Sequence, residues 1–415
     1  MVPVLQDVRS RRDFRLLWGG QFVSDLGGQL TAFALPTIAI ISLGASPLAV
    51  GSLQAFEFAV VPLLATVAGV IADRHPRKSL MIGANVVRAV ALGSLPLAWW
   101  LHSLTLMQFF VVGGICAAAG VLFDTAYQAL LPALCGRDDY QRGVARLAMG
   151  GSVAEAVGTS SAGAIVEFVG APLAIMLNLF TFVVSTVNLL RIRVPQQAPP
   201  REASERGSTW EEARAGFALV LRDPLLRSVA LSASTAYLGG AMVTSVFTLY
   251  CYRELHMTPV HFGIVMGLAN LGLAGAWVAH RAGARFGARR TLAGATALSA
   301  LGKFIFLCHA APVAAVFVGR LLLSFTGPIS STTQQALQTA RVPDGMLGRM
   351  NAAMRTIVWA ALPVGSFLGG AVANVAGTSV TIALGSAISL CAVGWLAIRP
   401  SVESPRLEPE LELAS

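Results

Sequence analysis

At 415 residues the chain is long enough for two or three soluble domains, but its composition excludes them. Apolar types make up 55% and charged types only 12%, with a mean hydropathy of +0.67, where a soluble domain carries about 25% charged residues. The 30 basic and 21 acidic residues cannot coat a globule of this size, and the net charge of +9 sits in short turns with no continuous patch for nucleic acid.

In chain order, apolar windows of about 20 residues, the length that crosses a hydrocarbon core of about 30 Å, fall near 15–42, 47–72, 79–101, 105–131, 147–169 and 172–190. A second series follows at 228–250, 261–280, 291–311, 312–338, 356–376 and 379–398. This predicts an all-α polytopic membrane protein. Alternate turns hold the arginines and lysines, among them Arg74, Arg77, Lys78, Arg142, Arg289 and Arg349, whereas the opposite set holds just Arg253. Positively charged loops stay in the cytoplasm, so both termini are expected there. The five cysteines show no metal or disulfide spacing, and the histidines form no ligand triad.

Domain organisation follows from the same punctuation: an N-terminal six-helix half over 1–190, a cytoplasmic segment over 191–227, a C-terminal six-helix half over 228–400 and a disordered acidic tail over 401–415. Within the middle segment, 195–209 reads as a flexible linker. Thr209 with Glu212 has capping-box spacing, and Trp210, Ala213, Phe217 and Leu221 then recur on one face. That pattern predicts an amphipathic helix on the membrane surface.

The halves repeat with an offset of 207. Thr125, Gln128 and Arg142 answer Thr332, Gln335 and Arg349, and Gly158, Gly163 and Gly170 answer Gly365, Gly370 and Gly377. Ser46-Pro47 likewise answers Thr258-Pro259 at a longer offset. Glycines at equal spacing let helices approach closely in lipid, and parallel six-helix repeats are a transporter design. The expected fold is twelve transmembrane helices in two six-helix halves around a central cavity.

Between the second and third spans lies Gly69-Val70-Ile71-Ala72-Asp73-Arg74-His75-Pro76-Arg77-Lys78. With it the sequence resembles the major facilitator superfamily over about residues 11–400. Asp13-Phe14-Arg15, Gly44-Ala45-Ser46-Pro47, Phe123-Asp124, Gln128-Ala129-Leu130-Leu131-Pro132 and Arg222-Asp223-Pro224 resemble its branch of enterobactin and macrolide exporters. The resemblance implies a cytoplasmic gate of Gly69, Asp73, Arg74, Arg77 and Asp124, in which Gly69 allows close helix packing and Arg77 pairs with Asp124. A positive-inside turn without a gating role is the plainer reading. His75-Pro76 departs from the family pattern, Ala284 and Ser331 replace the acids in the second half, and the antiporter proline is missing after Gly158.

Acids also fall inside the spans: Asp25 in the first, Glu57 in the second and Glu155 in the fifth. An ionised side chain at a helix centre costs about 2.5–3.5 kcal/mol. Hydrocarbon favours the neutral carboxyl and water the ionised one, so a carboxyl facing each in turn carries a proton. Asp25, Glu57 and Glu155 are therefore the expected proton-coupling residues, although each also reads as a neutral packing group. Substrate-cavity candidates are Gln21, Gln29, Phe33, Gln54, Tyr237, Asn270, Arg320 and Trp359; Arg88 and Lys303 are expected to pair with an acid or snorkel.

The chain has no nucleotide-binding loop. Residues and resemblance together imply a proton-coupled secondary active transporter working by alternating access, an exporter (antiporter) of a drug, siderophore or other natural product. Its partners would be that small molecule, protons and the lipid bilayer, with no cofactor and no nucleic acid, as a monomer in the bacterial cytoplasmic (inner) membrane. The alternatives are an importer or facilitator of a small nutrient or lipid, or a non-transporting scaffold acting through the middle segment.

Overall fold

A computed structural model describes residues 3–193, 209–270, 272, 275–342 and 346–397. All but the last residue of the expected linker, and the whole expected tail, lie outside them. Every regular element among the described residues is helical. In order these are α1 (Pro3–Thr37), α2 (Pro47–Arg74), α3 (Arg77–Trp100), α4 (Leu106–Phe168), α5 (Ala171–Arg191), α6 (Thr209–Arg222) and α7 (Pro224–Arg253). There follow α8 (Pro259–Ala269), α9 (Gly275–Phe286), α10 (Ala288–Ile305), α11 (Pro312–Thr339), α12 (Leu347–Trp359), α13 (Ala361–Ala376) and α14 (Thr378–Ala397).

These helices make the twelve spans. The long α4 supplies the fourth and fifth, α8 with α9 the eighth, and α12 with α13 the eleventh. Eight helices are long and apolar enough to cross a bilayer by length and composition alone. The first, fifth, eighth and ninth spans fall short because charges or interruptions dilute them.

Although α4 is helical throughout, it reverses direction. The thiol of Cys135 occupies the place that a Cβ on Gly143 would take, whereas eight residues of straight helix would separate the two by about 12 Å. A Cβ at Gly143 would have to displace that thiol. In α1, Pro36 removes a backbone donor, and the helix widens into a π turn over Ile38–Ser42, closed by Leu43 N–H on the Ile38 carbonyl at 3.2 Å.

The chain condenses into two compact units, Met1–Glu202 with Met257–Gly267, and Ala203–His256 with Leu268–Ser415. Leu17, Met81, Phe123, Leu130, Leu134 and Leu189 pack a core in the first. Val220, Leu226, Leu292, Met350 and Met354 do so in the second. Here α6 is docked: Val220 and Phe217 join that core, and Gly216 lies against the Arg349 carbonyl of α12. Burying one Val contributes about 1.5–3 kcal/mol where water is the alternative.

The internal repeat has a structural cause at several matched positions. Gly170 and Gly377 both take positive φ, +96° and +91°, in the turns before α5 and α14, a conformation that disfavours any Cβ. Gly158 approaches the Leu26 carbonyl of α1, and Gly365 approaches the Leu238 carbonyl of α7. Ser46 Oγ accepts from Ala49 N–H at 3.2 Å, and Thr258 Oγ1 from His261 N–H at 3.3 Å, so both cap a helix. The sixth helix of each half is also tied to the third. Lys78 donates to the carbonyls of Leu190 and Ile192 at 3.0 and 2.9 Å, and Arg289 donates to that of Leu396 at 2.7 Å. Cations here satisfy helix-end carbonyls and complement the helix dipole.

Candidate functional site

The polar groups of the first unit are organised by one face of α4. Gly113, Cys116, Gly120, Asp124 and Tyr127 recur every three or four residues, which aligns them over about 21 Å of helix. At the first rung Glu57 of α2 fits the notch at Gly113, where a Cβ would lie 2.7 Å from its Oε1. Phe56 fills the next notch, at Gly114, and stacks obliquely on Phe110 with centroids 6.0 Å apart. Cys116 stands within electrostatic reach of both Glu57 and Arg88.

Arg88, from α3, reaches across at the next level. A Cβ at Gly120 would lie 2.8 Å from its Nη2, and the guanidinium is 5.3 Å from the centre of the Phe123 ring. Asp124, exposed on α4, is within electrostatic reach of that cation, and the Tyr127 phenol is within electrostatic reach of both Asp124 and Asp25. Asp25 accepts from Gln21 Nε2 at 2.7 Å. The second half of α4 passes its other side, a Cβ at Gly151 standing 3.8 Å from Asp25 Oδ2. One turn along, Thr159 donates to Gln29 Oε1 at 3.3 Å. Buried Oε1 atoms of Gln21 and Gln54 accept no hydrogen bond among the described residues.

Several expectations change. The partner of Arg77 is the Ala129 carbonyl, at 2.5 Å, and the cation beside Asp124 is Arg88 instead. Arg77 begins α3 and sits about three turns below Arg88, so it meets α4 further along. Gly69 does not mediate close packing among the described residues, none of which lies within 4 Å of its Cβ position. Asp73 and Arg74 are exposed at the end of α2. Glu155 is exposed too, on the α4 edge between Gly151 and Thr159, rather than enclosed like Glu57. Phe33 is buried against Phe262, with centroids 5.5 Å apart, which makes it a packing group.

In the second unit the candidates do not converge on one point. Tyr237 is 45% exposed, Asn270 is buried, and Arg320 is half-buried within electrostatic reach of Cys251. Trp359 lies under the guanidinium of Arg355, 4.3 Å from the ring centroid. The sequence reading missed Arg355, which falls one residue before the window taken as the eleventh span; its i, i+4 spacing to Trp359 was the available signal. Lys303 does not snorkel, and among the described residues it meets no acid. It is buried, donates to Ser389 Oγ at 2.8 Å and faces Gly240.

A carboxyl within reach of a guanidinium, as Asp124 is of Arg88, can exchange a proton under a positive field. At an effective dielectric constant of ~20, unit charges about 6 Å apart interact by about 3 kcal/mol, enough to set which ionisation state is populated.

Twelve helical spans that enclose charged groups define a polytopic membrane transporter. The family model described as "Transmembrane secretion effector" matches residues 7–412, and the chain belongs to that family of the major facilitator superfamily. It is 24% identical over 369 residues to the multidrug efflux pump Tap of Mycobacterium tuberculosis, covering 85% of this chain and 86% of that protein. Macrolide efflux protein A of Streptococcus pyogenes is 22% identical over 391 residues (91% and 93%). The enterobactin exporter EntS of Citrobacter koseri is 25% identical over 389 (91% and 88%). Among solved structures, a bacterial homologue of the iron transporter ferroportin in an inward-facing state superposes with a TM-score of 0.76 at 18% identity, over 93% of this chain and 98% of that one. That likeness speaks for the fold alone.

Proposed function

We propose that the protein is a proton-driven exporter, an antiporter that moves a drug, siderophore or other natural product outward by alternating access. The observation that carries this reading is the presence inside membrane spans of Asp25, hydrogen-bonded to Gln21, and of Asp124 within electrostatic reach of Arg88. Charge there is costly and has no evident packing purpose. Efflux as the direction is supported by the relatives, which pump drugs, macrolides or enterobactin. The proposed setting is the bacterial cytoplasmic membrane, with the basic turns and both termini inside and the monomer as working unit. One proton moving through about 100 mV releases ~2.3 kcal/mol, enough for roughly a fifty-fold gradient of a neutral solute.

In this reading Asp25 exchanges the proton, Gln21 and Gln29 line the path beside it, and Glu57 and Gln54 serve the far end of the α4 stripe. Glu155, exposed next to Gly151 and Thr159, offers a third carboxyl to a cationic substrate. The exposed groups Tyr237 and Arg355, with Trp359 beneath the latter, are the contacts offered by the second unit. The turn holding Asp73, Arg74 and Arg77 is proposed to gate the cytoplasmic side, and α6 to lie along the membrane surface with Leu221 and Arg222 outward.

The test is export of ethidium, erythromycin and enterobactin from cells with and without the protein, followed by fluorescence of a pH dye in energised inverted vesicles. Addition of the exported compound should release protons from wild-type vesicles, and Asp25→Asn should abolish the release. Export without proton movement, or equal release by Asp25→Asn, would overturn the coupling. Accumulation in place of extrusion would overturn the direction.

A further inference from the structure

In the second unit, α6 packs with one face and leaves the other open. Gly216 and Val220 lie on the inner side, against the Arg349 carbonyl and the core. At about 100° per residue the opposite side carries Arg214, Ala218, Leu221 and Arg222. Both arginines are exposed, and Leu221 is 55% exposed although apolar. Arg227 folds back from the start of α7, its Nη1 donating to the Leu221 carbonyl at 3.4 Å. Exposed Arg290 stands in α10 between Ala288 and Leu292, which join the same core as Val220.

The neighbouring helices supply no compensating carboxylate. The sequences of α7 to α14 contain no Asp or Glu, and the acids of α6, Glu211 and Glu212, fall near its N-terminus. Asp223, at the corner, is occupied in capping α7, where it accepts from Leu225 and Leu226 N–H at 2.8 and 2.9 Å. The same corner fixes the depth of the helix. Asp223 N–H still bonds to the Leu219 carbonyl, so α6 ends where α7 begins. The apolar window of the seventh span opens at residue 228, about 8 Å of helix further on.

Resting on the placement of α6 along the membrane proposed above, we infer that its open face binds anionic phospholipid headgroups of the cytoplasmic leaflet. The guanidinium groups of Arg214, Arg222 and Arg227 hold phosphate oxygens, and Leu221 enters the acyl boundary. A soluble anion would engage the arginines and leave Leu221 in water; a bilayer takes both. Arg214 and Arg222 stand about 12 Å apart along the helix, so they reach separate headgroups. Each basic residue near an anionic surface tightens binding about five-fold.

The test is thermal unfolding of the purified full chain in detergent, titrated with phosphatidylglycerol or phosphatidylcholine, with exchange mass spectrometry of α6 alongside. Phosphatidylglycerol should stabilise at lower concentration than phosphatidylcholine and slow amide exchange over residues 214–222. Arg214→Gln with Arg222→Gln should weaken the phosphatidylglycerol response about 25-fold and leave the phosphatidylcholine response alone. Arg214→Lys with Arg222→Lys should restore it. Leu221→Ser should weaken both responses and keep their ratio, and Arg253→Gln, at the other end of α7, should change neither. Equal responses to the two lipids, an undiminished response in the double Gln variant, or the same protection from inorganic phosphate alone overturns the surface. So does slow exchange of α6 without lipid that is abolished by deleting residues 401–415, which would assign the face to the acidic C-terminal segment. The measurement contains no transported compound, so failure of the proposed export and failure of this surface are read separately.

Discussion

Glu167, at the end of α4, accepts a hydrogen bond from the backbone N–H of Val260 at 2.8 Å. Val260 is the second residue of α8, so the carboxylate caps an otherwise open helix N-terminus, together with Thr258 on His261. Glu167→Ala should destabilise the protein by about 1–2 kcal/mol, with faster hydrogen exchange at Val260 and His261. Glu167→Gln keeps an acceptor and should lose less. Thermal unfolding in detergent and exchange mass spectrometry read both, and no change in exchange would refute the cap.

The same two helices meet at Gly163. A Cβ there would stand 2.9 Å from the Gly263 Cα and nearer still to the Pro259 carbonyl, and neither backbone group can yield cheaply. Gly163→Ala should cost about 1–3 kcal/mol. Gly69→Ala, at a helical position with open space, should stabilise by up to about 1 kcal/mol. Equal effects at the two sites would contradict the packing described for α4 and α8.

Arg77 and Arg88 should separate in double-mutant cycles with Asp124. Because Arg77 serves the Ala129 carbonyl, its removal and that of the Asp124 charge should add to within about 0.5 kcal/mol. Arg88 with Asp124 should couple by more than about 1 kcal/mol. The reverse ordering would restore the gate pairing read from the sequence.

Lys303 gives a test whose order is counter-intuitive. Removing its partner through Ser389→Ala strands a buried ammonium and should cost about 3 kcal/mol, whereas Lys303→Met should be neutral or stabilising. Ser389 keeps its bond to the Gly385 carbonyl in the latter variant, at 2.9 Å. Adding Lys303→Met to Ser389→Ala should recover most of the loss. A more damaging Lys303→Met would show that the ammonium itself supports the fold.

Spans and duplication were legible because lipid imposes them locally: apolar length, basic turns and recurring glycines are written in consecutive residues. The matched Gly170 and Gly377 take the same strained conformation, and Ser46 and Thr258 cap the same helix of their respective halves. Partner choice was less legible, since helical spacing tells which residues share a face and not what that face meets. Asp25 and Gln21 were placed together because they lie on one helix. Arg88 rather than Arg77 beside Asp124, and Lys303 on Ser389, depend on depth and rotation across separate helices. Glu155 shows the same limit: its depth in the span was readable, its exposed edge was not.

The ties from Lys78 to the end of α5 and from Arg289 to the end of α14 bear on how the chain is made. Each fastens the last helix of a bundle to a residue already synthesised within that bundle, with nothing borrowed from residues the ribosome has yet to add. The sixth span can therefore be clasped to the third at the translocon before the seventh emerges, and the twelfth is clasped to the ninth in the same way at the end of translation.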